Sequence, residues 1–250
     1  MKSAIIIGAT SGIGRAVAAQ LVEDGWRVAI AGRRVEALDE FRMQYGADRV
    51  ITAQMDVTRD EAVAVLDDMI ARLGVPDMLL YAAGAGSQNV DLDPVVELRT
   101  VRTNSEGMVR VVSHFVRYVR GCKEYNRKRP AHIAVITSVA GTMGIGVAPA
   151  YSASKSMQST YITALAQLAR MQRTPVIFTD IRPGFVQTAI LNPAKHYPML
   201  MSVDTAAQHI VRGLKRRRRV LIFDWRYRVL VAFWRLIPRY IWERLRIVKN

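Results

Sequence analysis

The chain of 250 residues is half hydrophobic and carries 36 Lys and Arg against 21 Asp and Glu, a formal net charge of +15. This length predicts one large core in a single α/β domain. No segment has the roughly 18 uninterrupted apolar residues of a membrane span, and a single cysteine, Cys122, excludes an intrachain disulfide. We therefore expect a cytoplasmic protein in a reducing compartment.

The first predicted elements are a strand, a glycine-rich turn and a helix. Residues 4–7 form an apolar run, the sequence GATSGIG follows at once, and residues 15–22 read as an amphipathic helix. Glycine lets the backbone approach a pyrophosphate closely, and a helix N-terminus offers it unpaired N–H groups. A plain turn is the alternative for the loop alone. In this context the G-x-x-x-G-x-G spacing predicts a dinucleotide site at Gly8, Thr10, Ser11, Gly12, Ile13 and Gly14.

Two arginines follow the second predicted strand, residues 27–31. Arg33 and Arg34 stand where an acidic residue would bind the ribose of NAD, and no acid occurs between this strand and Glu36. A guanidinium group binds phosphate with several donors. The pair therefore predicts NADP(H) in preference to NAD(H). An exposed arginine pair without a ligand is the alternative.

Strand and helix patterns continue to alternate along the chain. This alternation predicts parallel strands with right-handed crossovers, in a doubly wound three-layer α/β sandwich of Rossmann type. The four scattered histidines show no metal-ligand spacing, so no metal site is predicted. The strands are predicted at residues 4–7, 27–31, 50–55, 78–82, 133–137 and 176–181, with a further one at 220–223.

A tyrosine and a lysine share one face of a predicted helix further along. Tyr151 and Lys155 are four residues apart, and Ser138 lies thirteen positions before the tyrosine. A lysine ammonium group beside a phenol is expected to lower the pKa of the tyrosine, so that the phenol can exchange protons with a carbonyl or an alcohol. Two unrelated residues on a helix face are the alternative for this pair taken alone.

Together these motifs resemble those of the short-chain dehydrogenase/reductase family, in family order over roughly residues 1 to 190. The matching residues are Gly8 to Gly14, Asp56-Val57, Ala82-Ala83-Gly84, Asn104, Ser138, Tyr151 with Lys155, and Arg182 to Thr188. The resemblance implies a nicotinamide cofactor and a catalytic tetrad. Its members are Asn104, which would anchor a water, Ser138, which would orient the carbonyl, Tyr151, which would move the proton, and Lys155, which would also bind the ribose.

The resemblance also implies further cofactor contacts. Asp56 and Val57 would flank the adenine, and Thr188 would bind the nicotinamide carboxamide. The other implied contacts are Ala82, Ala83, Gly84, Pro183, Gly184 and Val186. Where the family commonly has two asparagines before Ala-Gly, this chain has Tyr81 and Ala82. This departure removes hydrogen bonds around the cofactor and no catalytic group. A backbone-bonded Asn104 and a helix-capping Thr188 remain alternatives.

Two apolar segments suggest the substrate. Residues 141–149 and 185–201 are rich in small or apolar side chains, and a substrate lid is predicted over about residues 185–212. These segments favour a hydrophobic carbonyl or secondary alcohol of lipid-like or steroid-like kind, and a 3-oxoacyl chain or lipid-linked sugar also fits. Simple packing of both segments on the domain is the alternative.

The C-terminal region is strongly basic. We divide the chain into a catalytic domain, residues 1–214, and an extension, residues 215–250, that holds twelve Lys and Arg against two acids. Aromatic and aliphatic residues recur between the arginines, and Pro238 predicts two short helices. Such a basic amphipathic segment favours peripheral binding to an anionic membrane, on its inner face. Packing on the sheet edge or a second subunit stays open, and nucleic acid is not expected.

The predicted function is therefore an NADP(H)-dependent oxidoreductase with Tyr151 as its general acid and base. The alternative is a non-catalytic NADP-binding regulator, or a membrane or partner platform that acts through the basic extension. The resemblance further implies a homodimer or homotetramer, paired through the helices that carry Asn104 and Tyr151.

Overall fold

Seven parallel strands form one sheet in a computed structural model of the protein, which describes residues 1–191, 194 and 196–245. The strand order is β3-β2-β1-β4-β5-β6-β7, so the predicted doubly wound sheet is confirmed. Nearly all residues of the central strands are buried, as expected for a parallel sheet covered on both faces. The strands are β1 (Ser3–Ile7), β2 (Arg27–Gly32), β3 (Val50–Gln54), β4 (Met78–Tyr81), β5 (Ala131–Ile136), β6 (Val176–Ile181) and β7 (Val220–Leu221).

Helices cover both faces of this sheet. The described helices are α1 (Gly12–Glu23), α2 (Val35–Tyr45), α3 (Ala62–Leu73), α4 (Pro94–Val101), α5 (Gly107–Gly121), α6 (Pro149–Met171), α7 (Val203–Lys215), α8 (Trp225–Trp234) and α9 (Arg239–Trp242). One core contains apolar side chains of α1, α2 and α7, and the core on the other face contains those of α3, α5 and α6.

The strand order reverses at β1, which pairs with β2 on one side and with β4 on the other. The loops after β1 and β4 therefore diverge to opposite faces and leave a crevice at the carboxyl edge of the sheet, where open α/β sheets bind their ligands. The predicted site residues lie in the segments that follow β1 to β6 at this edge, which include the first turn of α1, the turn before α5 and the start of α6.

The last part of the predicted lid is instead a core helix. Residues 203–215 form α7, whose buried apolar positions (Ala206, Ala207, Ile210, Val211 and Leu214) face the sheet and α1. Their helical spacing explains why this segment packs rather than covers a cleft. The lid prediction therefore narrows to residues 185–201, of which Asn192, Pro193 and Lys195 lie outside the described residues.

The basic C-terminal region is divided between two edges of the sheet. The run of cations at residues 215–219 precedes β7 and lies at the amino edge, where Lys215 forms an ion pair with Asp24. Helices α8 and α9 follow β7 and lie at the carboxyl edge, separated at Pro238 as predicted. Residues 246–250 of the predicted extension lie outside the described residues. Within the described chain, no helix is both long and apolar enough to cross a bilayer.

Candidate active site

The glycine loop between β1 and α1 is a tightly packed turn. Gly8 and Gly12 have φ angles of 89° and 55°, in the left-handed region that favours glycine. A Cβ atom on Gly8 would overlap the backbone of Ala83, and one on Gly14 would overlap the carbonyl oxygen of Gly8. The loop therefore brings bare backbone next to the end of β4.

The start of α1 has the features of a site for a pyrophosphate. Ser11 is the N-cap residue of α1. Its backbone is extended, and its side chain makes no capping hydrogen bond. The first turn, with Ile13 and Gly14, contains no acidic residue. The leading N–H groups and the positive end of the helix dipole are therefore suited to an anion.

Basic side chains lie near the carboxyl ends of β2 and β3. The Nη2 atom of Arg34 donates to Thr10 Oγ1 at 3.0 Å, which holds this exposed guanidinium over the glycine loop. Arg33, Asp56 and Arg59 line a cavity of about 320 Å³. Arg59 was not among the residues predicted from the sequence; its only signal was its position three residues after Asp56.

The predicted Asp56 and Val57 pair has two different environments. Burial would raise the pKa of Asp56, but hydrogen bonds from Thr58 and the charges of Arg33 and Arg59 hold this pKa below its ordinary value. The Val57 side chain instead packs in the core, close to Gly107. Of these two residues, Asp56 lines the cavity and Val57 does not.

Tyr151, Lys155 and Ser138 come together beyond the carboxyl end of β5. Tyr151 and Lys155 lie on α6, with Lys155 Nζ 5.7 Å from the centre of the tyrosine ring. Ser138 follows β5, and its hydroxyl lies beside the phenol of Tyr151 and favours the ionised form of that phenol. A Cβ atom on Gly86 would overlap the tyrosine ring, so the loop after β4 fixes the ring from the other side.

The ionisation of this pair differs from the sequence prediction. Burial raises the pKa of Tyr151 and outweighs the hydrogen bond from Ser138. Burial also lowers the pKa of Lys155 to about 8, although the charge of Asp180 opposes this shift. The predicted lowering of the tyrosine pKa is therefore wrong for this structure, because both groups are desolvated together.

Lys155 is anchored by a residue that the sequence analysis missed. Its Nζ atom donates to the carbonyl oxygen of Ile136 at 2.9 Å and to Gln158 Oε1 at 3.1 Å. Gln158 Nε2 in turn donates to the carbonyl oxygen of Asn104 at 2.8 Å. Gln158 is fully buried, one turn after Lys155. Only its helical spacing from Lys155 could have indicated this role.

Asn104 is bonded to backbone, as the alternative reading predicted. It lies in a π-helical turn, Arg102–Glu106, between α4 and α5. Its side chain pairs with both backbone groups of Ala85 at 2.8 Å and donates to Ser154 Oγ at 2.9 Å. Asn104 thus joins the loop after β4 to α6. The predicted water bridge to Lys155 stays a prediction, and Gln158 makes a direct protein link between the same two residues.

The departure from the family pattern places a buried tyrosine at the end of β4. The buried Tyr81 donates its hydroxyl to the carbonyl oxygen of Thr103 at 2.8 Å, beside Asn104. Ala82 and Ala83 follow it, and an ideal Cβ on Gly84 would lie 3.6 Å from Lys155 Nζ. Tyr81 thus ties the end of β4 to the turn that contains Asn104.

The loop after β6 closes the other side of the crevice. Val139 N donates to the carbonyl oxygen of Pro183 at 3.0 Å, next to Ser138. A Cβ on Gly12 would lie 3.3 Å from Thr188 Cγ2, so Thr188 reaches the glycine loop. Val186 is buried and pairs with Met201, which folds the lid segment back on itself.

Two aromatic residues of the C-terminal helices form hydrogen bonds with segments that line the crevice. The Tyr227 hydroxyl accepts from Phe185 N and donates to the carbonyl oxygen of Pro198, both at 3.1 Å. The Trp242 indole donates to the carbonyl oxygen of Gly144 at 2.6 Å. Sequence reasoning did not assign either residue to the site, and no local signal could have done so, because both contacts span long stretches of chain.

Comparisons with known proteins agree with this architecture. The family model for short chain dehydrogenases matches residues 2–197. An uncharacterized oxidoreductase of Myxococcus xanthus is 30% identical over 252 residues, 97% of this chain and 95% of that protein. An NADP-dependent 3-hydroxy acid dehydrogenase of Salmonella typhi is 31% identical over 189 residues, 73% of this chain and 71% of that protein. A crystal structure of an actinorhodin polyketide ketoreductase variant with NADPH has a TM-score of 0.70 at 22% identity, covering 84% of this chain and 89% of that chain.

Proposed function

The chain belongs to the short-chain dehydrogenase family and is an NAD(P)-dependent oxidoreductase, and from this premise we propose that it interconverts a carbonyl and a secondary alcohol on a hydrophobic substrate. The observation that supports this proposal is the grouping of Tyr151, Ser138 and Lys155 at the crevice edge. When bound, NADP(H) supplies the hydride. The presence of both Tyr151 and Lys155 speaks against a regulator without turnover.

We propose that Tyr151 is the general acid and base. Its raised pKa keeps the phenol protonated at neutral pH, so it can donate a proton to a carbonyl oxygen. Ser138, whose hydroxyl lies beside the phenol, orients the same oxygen. Lys155, beside Gly84, binds the ribose of the cofactor, while Asn104 holds the loop that carries Gly84. The protein thus contributes position and charge to the transfer.

Replacing Tyr151 with Phe tests this assignment. Loss of the proton donor should lower kcat/KM by about a hundredfold to ten-thousandfold, the usual contribution of general acid–base catalysis. The measurement is NADPH oxidation with a panel of hydrophobic ketones. Tyr45→Phe, on α2 and remote from the crevice, is the matched control and should keep full activity. Unchanged activity in Tyr151→Phe would show that another group moves the proton.

We further infer that NADP(H) is preferred to NAD(H). Arg33 and Arg34 follow β2 with exposed side chains, and Arg59 lines the same cavity as Arg33. A relative is named NADP-dependent and a structural neighbour was crystallised with NADPH, which is consistent with this preference.

The double variant Arg33→Ala/Arg34→Ala tests the cofactor preference. Losing charge-assisted hydrogen bonds, each about 1.5–3 kcal/mol, should raise the KM for NADPH by at least about tenfold. The KM for NADH should change little, because NADH has no 2′-phosphate. Arg42→Ala, an exposed position at the end of α2, is the control. An equal loss with both cofactors would contradict a phosphate-binding role.

The hydrophobic character of the substrate is inferred from the crevice walls. Ile145 and Val147 are half-buried in the segment before α6, and Phe185 and Met199 pack together with Tyr227 on the opposite side. Ile190 and Leu200 remain exposed on the lid segment. These side chains favour a lipid-like, steroid-like or 3-oxoacyl substrate over a small polar sugar.

We also infer that two or four copies of the chain assemble and that the protein lies at a membrane surface. Exposed apolar side chains on α4 and α6 suit pairing of two or four copies: Val95, Leu98, Val101, Leu168 and Met171. The exposed aromatic and basic residues of α8 and α9 suit a peripheral position on an anionic membrane, on its inner face.

A further inference from the structure

Helix α8 carries two apolar stripes on opposite faces. The inner stripe is buried or half-buried against the domain: Tyr227, Leu230, Val231 and Trp234. The outer stripe is exposed and consists of Trp225, Val229, Phe233 and, just beyond the helix, Leu236. Trp225, Phe233 and Leu236 are 70%, 63% and 76% exposed. Their spacing by four and then three residues keeps them on one face. The outer stripe is therefore a continuous apolar surface without an intramolecular partner among the described residues.

Arginines border this outer stripe. Between residues 225 and 245 the chain has five arginines and a single acid, Glu243. Arg226 forms an ion pair with the N-cap residue Asp224, but Arg235 and Arg239 have no ion-pair partner within the described chain. Tyr240, 63% exposed, extends the surface onto α9. Apolar and aromatic side chains flanked by cations match the headgroup region of an anionic bilayer.

The same charge pattern argues against a second copy of the chain as the partner. Each copy carries a formal net charge of +15, and this face lies in a strongly basic region. Two such faces in contact would place unpaired arginines against each other in a desolvated interface, which is costly. An anionic lipid surface instead supplies the opposite charge.

The inner stripe connects this surface to the substrate crevice. Tyr227 is hydrogen-bonded to both ends of the lid segment, at Phe185 and Pro198, and Trp242 is hydrogen-bonded to Gly144. Trp234 and Trp242 contact edge to face with ring centres 5.4 Å apart, which joins α8 to α9. The side of α8 and α9 that faces the domain therefore contacts both segments that line the crevice.

We propose that the outer stripe with its arginines docks on an anionic membrane and that the substrate crevice opens beside that contact, so that hydrophobic substrates enter from the lipid. The membrane docking is inferred from the outer stripe and its arginines alone, whereas the delivery of substrate from the lipid rests on the proposed function. The cations at residues 215–219, at the opposite edge of the sheet, are not part of this docking surface.

Co-sedimentation with vesicles tests the docking. Full-length protein should sediment with vesicles of phosphatidylcholine and phosphatidylglycerol, less with phosphatidylcholine alone, and should be released at high salt. The variant Phe233→Ser/Leu236→Ser should partition at least about tenfold more weakly, because it removes two large apolar side chains from the lipid contact. Arg235→Gln/Arg239→Gln should weaken binding to the anionic vesicles selectively.

A matched variant controls for general loss of apolar surface. Met43→Ser/Val90→Ser removes two side chains that are also well exposed, at 78% and 61%, but lie on other elements, and it should bind like the unaltered protein. Absence of sedimentation at low salt would overturn the proposal. So would a fall in molecular mass of the Phe233→Ser/Leu236→Ser variant without vesicles, which would identify the outer stripe as a contact between copies. If the unaltered protein binds DNA and the same variant does not, the outer stripe is a nucleic-acid surface, and that result would also overturn the proposal.

Activity measurements test the delivery of substrate. With a long-chain ketone dissolved in anionic vesicles, Phe233→Ser/Leu236→Ser should lose about tenfold in kcat/KM, in line with its weaker partitioning. With a short water-soluble ketone and no vesicles it should match the unaltered protein, because these side chains do not contact the crevice. Equal activity with the vesicle-borne ketone would overturn delivery from the lipid. Inactivity of every form toward both ketones would instead refute the proposed function and leave the docking result standing.

Discussion

Gln158 shows how one buried amide can hold a charged group in place. Its side chain accepts from Lys155 Nζ and donates to the carbonyl oxygen of Asn104, with no exposure to solvent. A buried lysine is costly to ionise, and each hydrogen bond to its ammonium group favours the charged form. Gln158 therefore orients Lys155, and by this physical argument its hydrogen bond favours the charged ammonium group.

Replacing Gln158 with Met should test this role as a positioning residue. Methionine has a similar size but cannot hydrogen-bond to Lys155 or Asn104. Leaving these buried groups unsatisfied should cost about 1–3 kcal/mol of unfolding free energy. The pKa of Lys155 should fall further below about 8, so the alkaline loss of kcat/KM should move to lower pH. Urea unfolding and a pH profile of kcat/KM measure the two effects.

The exposed Gln44→Met on α2 is the control for this substitution. It should change neither stability nor the pH profile, since surface substitutions usually stay within about 0.5 kcal/mol. If the Gln158→Met protein is destabilised but the alkaline loss of kcat/KM occurs at the same pH, Gln158 has only a packing role.

At the scale of elements, the contact between α8 and the loop after β6 depends on a missing side chain. A Cβ atom on Gly184 would overlap the ring of Tyr227, which is buried against this loop. The glycine thus allows α8 to lie directly on the loop that starts the lid segment.

Gly184→Ala should therefore loosen α8. The added methyl group overpacks the contact and should cost about 1–3 kcal/mol. Amide hydrogen exchange in residues 225–234 should become faster, and exchange in β1 and β4 should not. Gly121→Ala, at a position where a Cβ would meet no atom within 4 Å, is the control and should leave exchange in α8 unchanged. Unaltered exchange in both variants would show that the tyrosine ring adapts without cost.

At the scale of the whole molecule, the proposed assembly gives a measurable mass. Light scattering should give two or four times the chain mass of 28.0 kDa. Val101→Lys/Leu168→Lys places charges on the exposed apolar positions of α4 and α6 and should give monomers, because a buried unpaired charge is strongly unfavourable. Met43→Lys on α2 should keep the assembled mass. An unchanged mass in the double variant would place the contact elsewhere.

The glycine loop and the Tyr151–Lys155 pair could be predicted from the sequence because their chemistry depends on short spacings. A turn needs glycines at fixed positions, and two residues four apart share a helix face whatever surrounds them. The bounds of β1, β2 and β6 were predicted to within about one residue for a similar reason, since buried parallel strands form short apolar runs. The ends of the lid were less predictable, because apolar residues look alike in a lid and in a core helix such as α7.

What the sequence determined by itself was the family, the alternation of strands and helices, and the candidate site residues with their spacing. Only the tertiary structure decided the direction of the pKa shifts, the partners of Lys155 and the position of the C-terminal helices. The reason is that desolvation, and contacts such as those from Tyr227 to Phe185 and from Trp242 to Gly144, depend on which distant segments the fold brings together. Local spacing contains no information about such neighbours.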